Sequence, residues 1–155
     1  MNQLPIGAKA PDFELKDADG RSYRLSEALR RGPVVLVFYK SSCPTCQFTF
    51  PYLERIFSQA PEKAPWTLWA ISEDDPDETR AFIKEKGLTF DVPIDEHPYP
   101  VSAAYGLEFV PAIFIIQPDG AISLSDFGFT KASLNQIAGF EFLTANDGLP
   151  ASRPG

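Results

Sequence analysis

Two residues of this chain combine reactivity with close spacing: Cys43 and Cys46, in the segment KSSCPTCQFTFP over residues 40–51. They are its only cysteines. Thiols separated by two residues can exchange disulfides, help hold a metal or form a local cross-link. A structural zinc site takes four Cys or His ligands. The chain adds one histidine, His97, so carboxylates would have to complete the set. As a cross-link the pair closes almost no loop and constrains the unfolded chain little. Redox exchange is the chemistry that suits the pair best, and it requires a thiolate, hence a setting that favours negative charge near neutral pH.

The start of a helix supplies that setting. From Pro44 to about Gln59 the residues Thr49, Leu53, Ile56, Phe57 and Ala60 recur at helical spacing, with proline at the first helical position. Cys43 then falls at the N-cap, where its sulfur can accept from the free N–H groups of Thr45 and Cys46 and meet the positive end of the helix dipole. Cys46 shares the side of Thr49, Leu53 and Ile56 and is expected to face the core. Cys43 is thus the expected attacking thiol and Cys46 the resolving one.

The elements that must position this pair can be read on either side of it. Residues 7–29 contain a turn at Asp19-Gly20 and suggest a small hairpin followed by a helical turn capped by Ser26. After Gly32-Pro33, VVLVFYK is an apolar run of the kind found in strands buried on both faces. TLWAISE, residues 67–73, is a second such strand. Asp75 as N-cap, Pro76 at the first helical position and Gly87 as terminator delimit a further helix, and the acids there read as a cap, not a cation site. A short strand around Phe90–Pro93, a helical turn ending at Gly106, a hairpin from Ala112–Gln117 to Ala121–Asp126 through Pro118-Asp119-Gly120, and an amphipathic helix over Lys131–Leu143 complete the order. This order predicts an α/β fold with a central mixed sheet flanked by helices. The expected organisation is a single domain over 1–155, with a core at about 7–143 and an irregular tail at 145–155.

Composition narrows the partners. A net charge of -7 over 155 residues and a pI near 4.7 disfavour nucleic acid and anionic membrane surfaces. The start MNQLPIGAKAPDFEL lacks the basic and apolar regions of a secretory leader. The expectation is a cytoplasmic chain as given, or an exported one if a leader has been removed.

Several motifs in order carry a resemblance. Cys43-Pro44-Thr45-Cys46 at a strand-helix junction, Pro51 eight residues after Cys43, and Val110-Pro111 heading a later strand resemble the thioredoxin superfamily. The opening APDFELKDADGRSYRLSE, the long stretch between Cys46 and Pro111 and the ending FIIQPDG are similar to its TlpA-like and AhpC/TSA-like (redoxin) branch. The resemblance implies a thioredoxin-like fold with an N-terminal β-hairpin extension and an insertion before a cis-proline. It implies a thiol-disulfide oxidoreductase whose redox-active disulfide, Cys43-Cys46, needs no further cofactor or metal. Expected partners are protein disulfides or thiols and a reducing partner, for a monomer or weak dimer. Val110-Pro111 would be a cis peptide opposite the disulfide, with Val110 offering its N–H and C=O to an extended peptide. Pro44, Thr45, Phe109, Val110 and Pro111 are the implied substrate-binding residues, and Pro51 would bend the active-site helix.

Departures from the pattern bear on mechanism. Val37 stands where many thioredoxins carry a buried acid, and Thr49 where TlpA-like proteins often have glutamate. Deprotonation of Cys46 must therefore use water or another group. Phe109 replaces a usual glycine and either shapes partner choice or simply packs. Lys40 is a candidate for adding positive potential at Cys43, although a solvated lysine at a strand end is the plainer expectation. Phe48 and Tyr52 are candidates for a docking surface, with cover by the N-terminal hairpin the plainer expectation; His97 reads as a loop histidine with no catalytic part.

Two rival functions fit the sequence less well than exchange. Peroxide reduction by an antioxidant peroxiredoxin wants Thr or Ser and Pro where this chain has Lys40 and Leu36, and an arginine near Val110-Pro111-Ala112. A copper-binding or partner-binding module suits thiolates, but carriers of this fold space their cysteines three apart and add a histidine. Dithiol-disulfide exchange, as a reductase, is the expectation. The ending PASRPG also resembles redoxins that continue into a further Cys or selenocysteine, an alternative that mass spectrometry of the native protein would settle.

Overall fold

The computed structural model describes residues 2–60, 65–139, 143–144 and 147–154. Its centre is a four-stranded sheet in the order β4-β3-β5-β6. The strands are β3 (Val34–Tyr39), β4 (Thr67–Ser72), β5 (Ala112–Ile116) and β6 (Ile122–Phe127). β3 runs parallel to β4 and antiparallel to β5, and β5 antiparallel to β6. The sheet is therefore mixed. β3 follows from VVLVFY, whose β-branched and aromatic side chains suit a pleated surface, and every one of its residues is buried.

Strand alternation divides the core between two faces. Val35, Val37 and Tyr39 face one layer with Leu68, Ala70, Ile113 and Ile115; it is covered by α2 (Pro44–Gln59), α3 (Pro76–Lys86) and α5 (Lys131–Ala138). Val34, Leu36 and Phe38 face the other with Trp69, Ile71 and Phe114, beneath the N-terminal segment, α1 (Leu25–Ala28) and α4 (Pro100–Ala104). Trp69 packs there in edge-to-face contact with Phe13 and Tyr23, while Trp66 stands against Phe57 near the end of α2. The expected hairpin is present as β1 (Glu14–Lys16) paired antiparallel with β2 (Ser22–Arg24).

The caps of the two longest helices are local. Cys43 caps α2 and Asp75 caps α3, whose Oδ1 accepts the Glu78 N–H at 2.8 Å; Gly87, at φ 63, closes α3.

Four expectations need correction. Ser26 does not cap the first helical turn: α1 begins at Leu25, and Asp12 reaches across to accept the Ser26 N–H at 2.9 Å. Phe90–Pro93 makes no strand of its own; Asp91 and Ile94 form only isolated bridges to Trp69, Ser72 and Lys16. The last helix stops at Ala138, because Gly139 turns left-handed at φ 83; residues 140–142 of its expected span lie outside the described residues. The tail is not wholly irregular: β8 (Ser152–Arg153) pairs antiparallel with β7 (Phe129–Thr130).

Candidate active site

The loop leaving β3 turns at residues 40–43, where the Cys43 N–H donates to the Lys40 carbonyl, and enters α2 at Pro44. Cys43 is in extended conformation, and its sulfur accepts the Cys46 N–H at 3.3 Å. The Thr45 N–H, also expected to donate there, is not among its partners; the Cys43 thiol instead donates to the Val110 carbonyl at 3.4 Å. Val110-Pro111 is a cis peptide, and it lies opposite the first cysteine as the motif led one to expect. His97-Pro98 is a second cis peptide, with no signal in the sequence to distinguish it. Both thiols are free; Cys43 is partly exposed and Cys46 is 0% exposed.

Burial pushes the Cys46 thiol well above its ordinary range. A backbone hydrogen bond at Lys40 opposes that shift, while Cys43 and Asp74 reinforce it. At the two positions where an acid would serve Cys46, Val37 is buried in the apolar layer and Thr49 donates its hydroxyl to the Thr45 carbonyl at 2.7 Å. Neither can take a proton. Tyr39 lies on the same sheet face as Val37, its ring 4.6 Å from Phe50 and 4.7 Å from Phe82. Its hydroxyl is, among the described residues, the one buried side-chain nitrogen or oxygen without a hydrogen-bond partner. Asp74 is close by: its Oδ2 accepts the Ser41 N–H at 2.9 Å, and its own N–H donates to Ser72 Oγ at 3.0 Å.

Lys40 does not stand as a free cation at the sulfur. Its ammonium is 3.8 Å from the Glu73 carboxylate and 5.7 Å above the Tyr99 ring. With Asp74, His97 and others these groups line an open cleft of about 570 Å³. Leu36 is buried on the opposite sheet face. The two positions that would cradle a peroxide thus hold an apolar side chain and a paired one.

Phe109 is 50% exposed and stacks on Phe127, 47% exposed, with ring centroids 5.3 Å apart. The pair stands beside Val110. Phe48 and Tyr52 are covered, but not by the N-terminal hairpin: they pack on each other and on Phe129, and the Arg153 guanidinium lies 4.9 Å over Phe48. Next to them Thr45 donates its hydroxyl to the Pro154 carbonyl. Pro154 thus contacts a residue between the two cysteines.

Tyr39, Asp74, Phe127 and the tail were not singled out from sequence. The signal for Tyr39 was present, since two residues on from Val37 is the next position on the same face of a strand.

A mixed sheet with helices on both faces, a helix begun by Cys-x-x-Cys and a cis-proline facing the first sulfur define a thioredoxin-like protein. The AhpC/TSA family profile matches residues 6–125. Thiol-disulfide oxidoreductase ResA of Geobacillus thermodenitrificans is 30% identical over 135 residues, covering 86% of this chain and 76% of that protein. Among solved structures, one from Bacteroides thetaiotaomicron, provisionally named a protein disulfide isomerase, aligns with TM-score 0.80 at 25% identity, covering 90% of this chain and 91% of that one. Another, from Chlorobium tepidum and provisionally named thiol:disulfide interchange protein DsbE, aligns with TM-score 0.76 at 26% identity, covering 88% and 94%. The chain belongs to the AhpC/TSA family and is a thiol-disulfide oxidoreductase of its thioredoxin-like branch.

Proposed function

We propose that the chain is a dithiol reductase in which Cys43 attacks and Cys46 resolves. The observation that carries this order is the asymmetry of the pair: Cys43 is partly exposed and receives the Cys46 N–H, whereas Cys46 is wholly buried. A Cys43 thiolate attacks one sulfur of a substrate disulfide, forming a mixed disulfide and releasing one substrate thiolate. Cys46 gives up its proton and attacks the Cys43 sulfur, releasing the second substrate thiolate and leaving a Cys43-Cys46 disulfide. Two electrons have passed to the substrate, and a separate reducing partner restores the dithiol.

Substrates in this reading are protein disulfides laid in extended form against Val110-Pro111, with Pro44 and Thr45 beneath them and Phe109 at one side. The Val110 carbonyl already accepts a bond from Cys43, which supports its use as an acceptor for a peptide.

The test is insulin reduction together with the potential of the couple against glutathione. Cys43→Ser is expected to abolish turnover, and Cys46→Ser to accumulate a mixed disulfide visible by non-reducing mass analysis. A reductase has a potential nearer -270 mV than -120 mV; a value near the latter would make the chain an oxidant and overturn the direction.

A further inference from the structure

We propose that the Tyr39 hydroxyl and the Asp74 carboxylate take up the proton that Cys46 must lose before it resolves the mixed disulfide, an inference that rests on the dithiol-exchange reading above. The need is plain: Cys46 is fully buried, and Val37 and Thr49 leave it without an acid at either expected position.

Three observations converge on Tyr39. β3 presents Val35, Val37 and Tyr39 to the layer that contains Cys46, so Tyr39 is the residue after Val37 on that face, at the strand end that leads to the cysteines. Its ring packs on Phe50, one turn along α2 from Cys46 on the same buried stripe. Its hydroxyl is buried and has no partner, although buried polar groups are nearly always bonded and an exception calls for an explanation.

Asp74 continues the path. Its carboxylate holds the Ser41 N–H in the loop that enters Cys43. Its backbone bonds Ser72, the residue registered against Tyr39 in the parallel ladder. The Ser72 hydroxyl bonds Thr79 at 2.7 Å and also neighbours the Tyr39 hydroxyl, on which it acts against the effect of burial, while Asp74 and Cys46 act on Tyr39 through their charge. Burial raises the pKa of Tyr39 and of Cys46, and the charge of Asp74 is felt at both. The other charged or titratable groups around them are Cys43 at the start of α2, the Lys40–Glu73 pair at the strand ends, and Lys86 of α3, 6.0 Å over the Phe82 ring.

The step balances. Cys46 S–H gives its proton to the Tyr39 oxygen while the Tyr39 O–H proton passes on toward the Asp74 carboxylate. The Cys46 thiolate attacks the Cys43 sulfur, breaks its bond to the substrate sulfur and expels that sulfur as thiolate. Asp74 then returns the proton to water through the cleft it lines with Lys40, Glu73 and His97. Tyr39 ends as it began, a neutral phenol.

The experiment mixes the reduced protein with one equivalent of the aromatic disulfide of thionitrobenzoate and follows coloured thiol release by stopped flow. The parent releases two equivalents, the first by attack of Cys43 and the second by resolution through Cys46. A parent that stops at one equivalent would overturn the dithiol-exchange reading itself. Tyr39→Phe keeps the ring and is expected to leave the first phase unchanged. It is expected to slow the second about 10²-fold at neutral pH, the lower end of what a positioned proton acceptor contributes. The gap should narrow as pH rises and hydroxide takes over. Asp74→Asn should slow the same phase, and the double variant should be no slower than the slower single one. A second phase at the parental rate in both single variants, both phases slowed alike, or additive losses would each overturn the proposal. Should Tyr39→Phe fail to fold, Asp74→Asn decides alone, and an unchanged second phase overturns the inference.

Discussion

Phe109 and Phe127 are each about half exposed, and they stack on each other with an interplanar angle of 28°. Exposed aromatic pairs of this kind offer a rigid apolar contact at little conformational cost. Phe109 is also bonded directly to Val110, whose carbonyl faces the Cys43 sulfur, so a ligand engaged there runs past the rings. Phe109→Ala is expected to raise KM for a protein disulfide about fivefold, the equivalent of about 1 kcal/mol of aromatic contact. Turnover of a small disulfide that reaches only Cys43 should not change. Steady-state kinetics with the two substrates makes the comparison. The cysteine pair, its order of burial and the cis-proline were legible in sequence because each is announced by a short local motif. The position of Tyr39, two residues after Val37 on the same strand face, was readable too, but a hydropathy pattern counts its ring and overlooks its hydroxyl.

Among elements, α2 and α3 declare themselves through caps contained in their own sequence. Cys43-Pro44 begins one, and Asp75-Pro76 with Gly87 brackets the other. Asp75→Ala removes the acceptor for Glu78 N–H and is expected to cost about 1 kcal/mol, read as a lower denaturant midpoint at unchanged slope. The redox site lies on a different helix, so exchange rates should stay at the parental level. Elements capped from a distance were harder to read. α1 depends on Asp12, well upstream of it, and α4 on Asp95, whose buried carboxylate accepts from the Val101 and Ser102 N–H groups. Nothing in a local window distinguishes such an acid from a solvated one. The same limit explains Phe90–Pro93, where the apolar pattern is sound but only isolated bridges form, one at Asp91 and two at the adjacent Ile94.

At the scale of the whole molecule, the tail joins the last helix to the redox site. Lys131, 8% exposed, bonds the Thr144 carbonyl and the Asp147 carboxylate, and its N–H donates to Ala151. From there β8 carries Arg153 over Phe48 and Pro154 to Thr45. Hydrogen bonding from Lys131, then from the Leu149 N–H, holds the Asp147 carboxyl below the usual carboxylate range. A carboxylate whose pKa is lowered by folding stabilises above its unfolded pKa, and that contribution disappears as pH falls through the lower folded value. The tail is therefore expected to stay docked at neutral pH and to loosen below about pH 4. Hydrogen exchange at the Lys131 amide reports this directly: Asp147→Asn should show at pH 7 the lost protection that the parent shows only in acid. No sequence window joins residues 151–154 to the start of α2, and so the most distant contact of the site was the least legible.

The division of the core into two layers has an optical consequence. Trp69 is sealed in the layer away from the cysteines, and Trp66 sits against Phe57 toward the far end of the active-site helix. A disulfide quenches an indole at close contact, so tryptophan emission here is expected to follow unfolding and to change little with the oxidation state of the thiols. Anyone titrating this couple needs a thiol-reactive dye or a mass shift for the electrons, and keeps the indoles as an independent gauge of whether the protein is still folded.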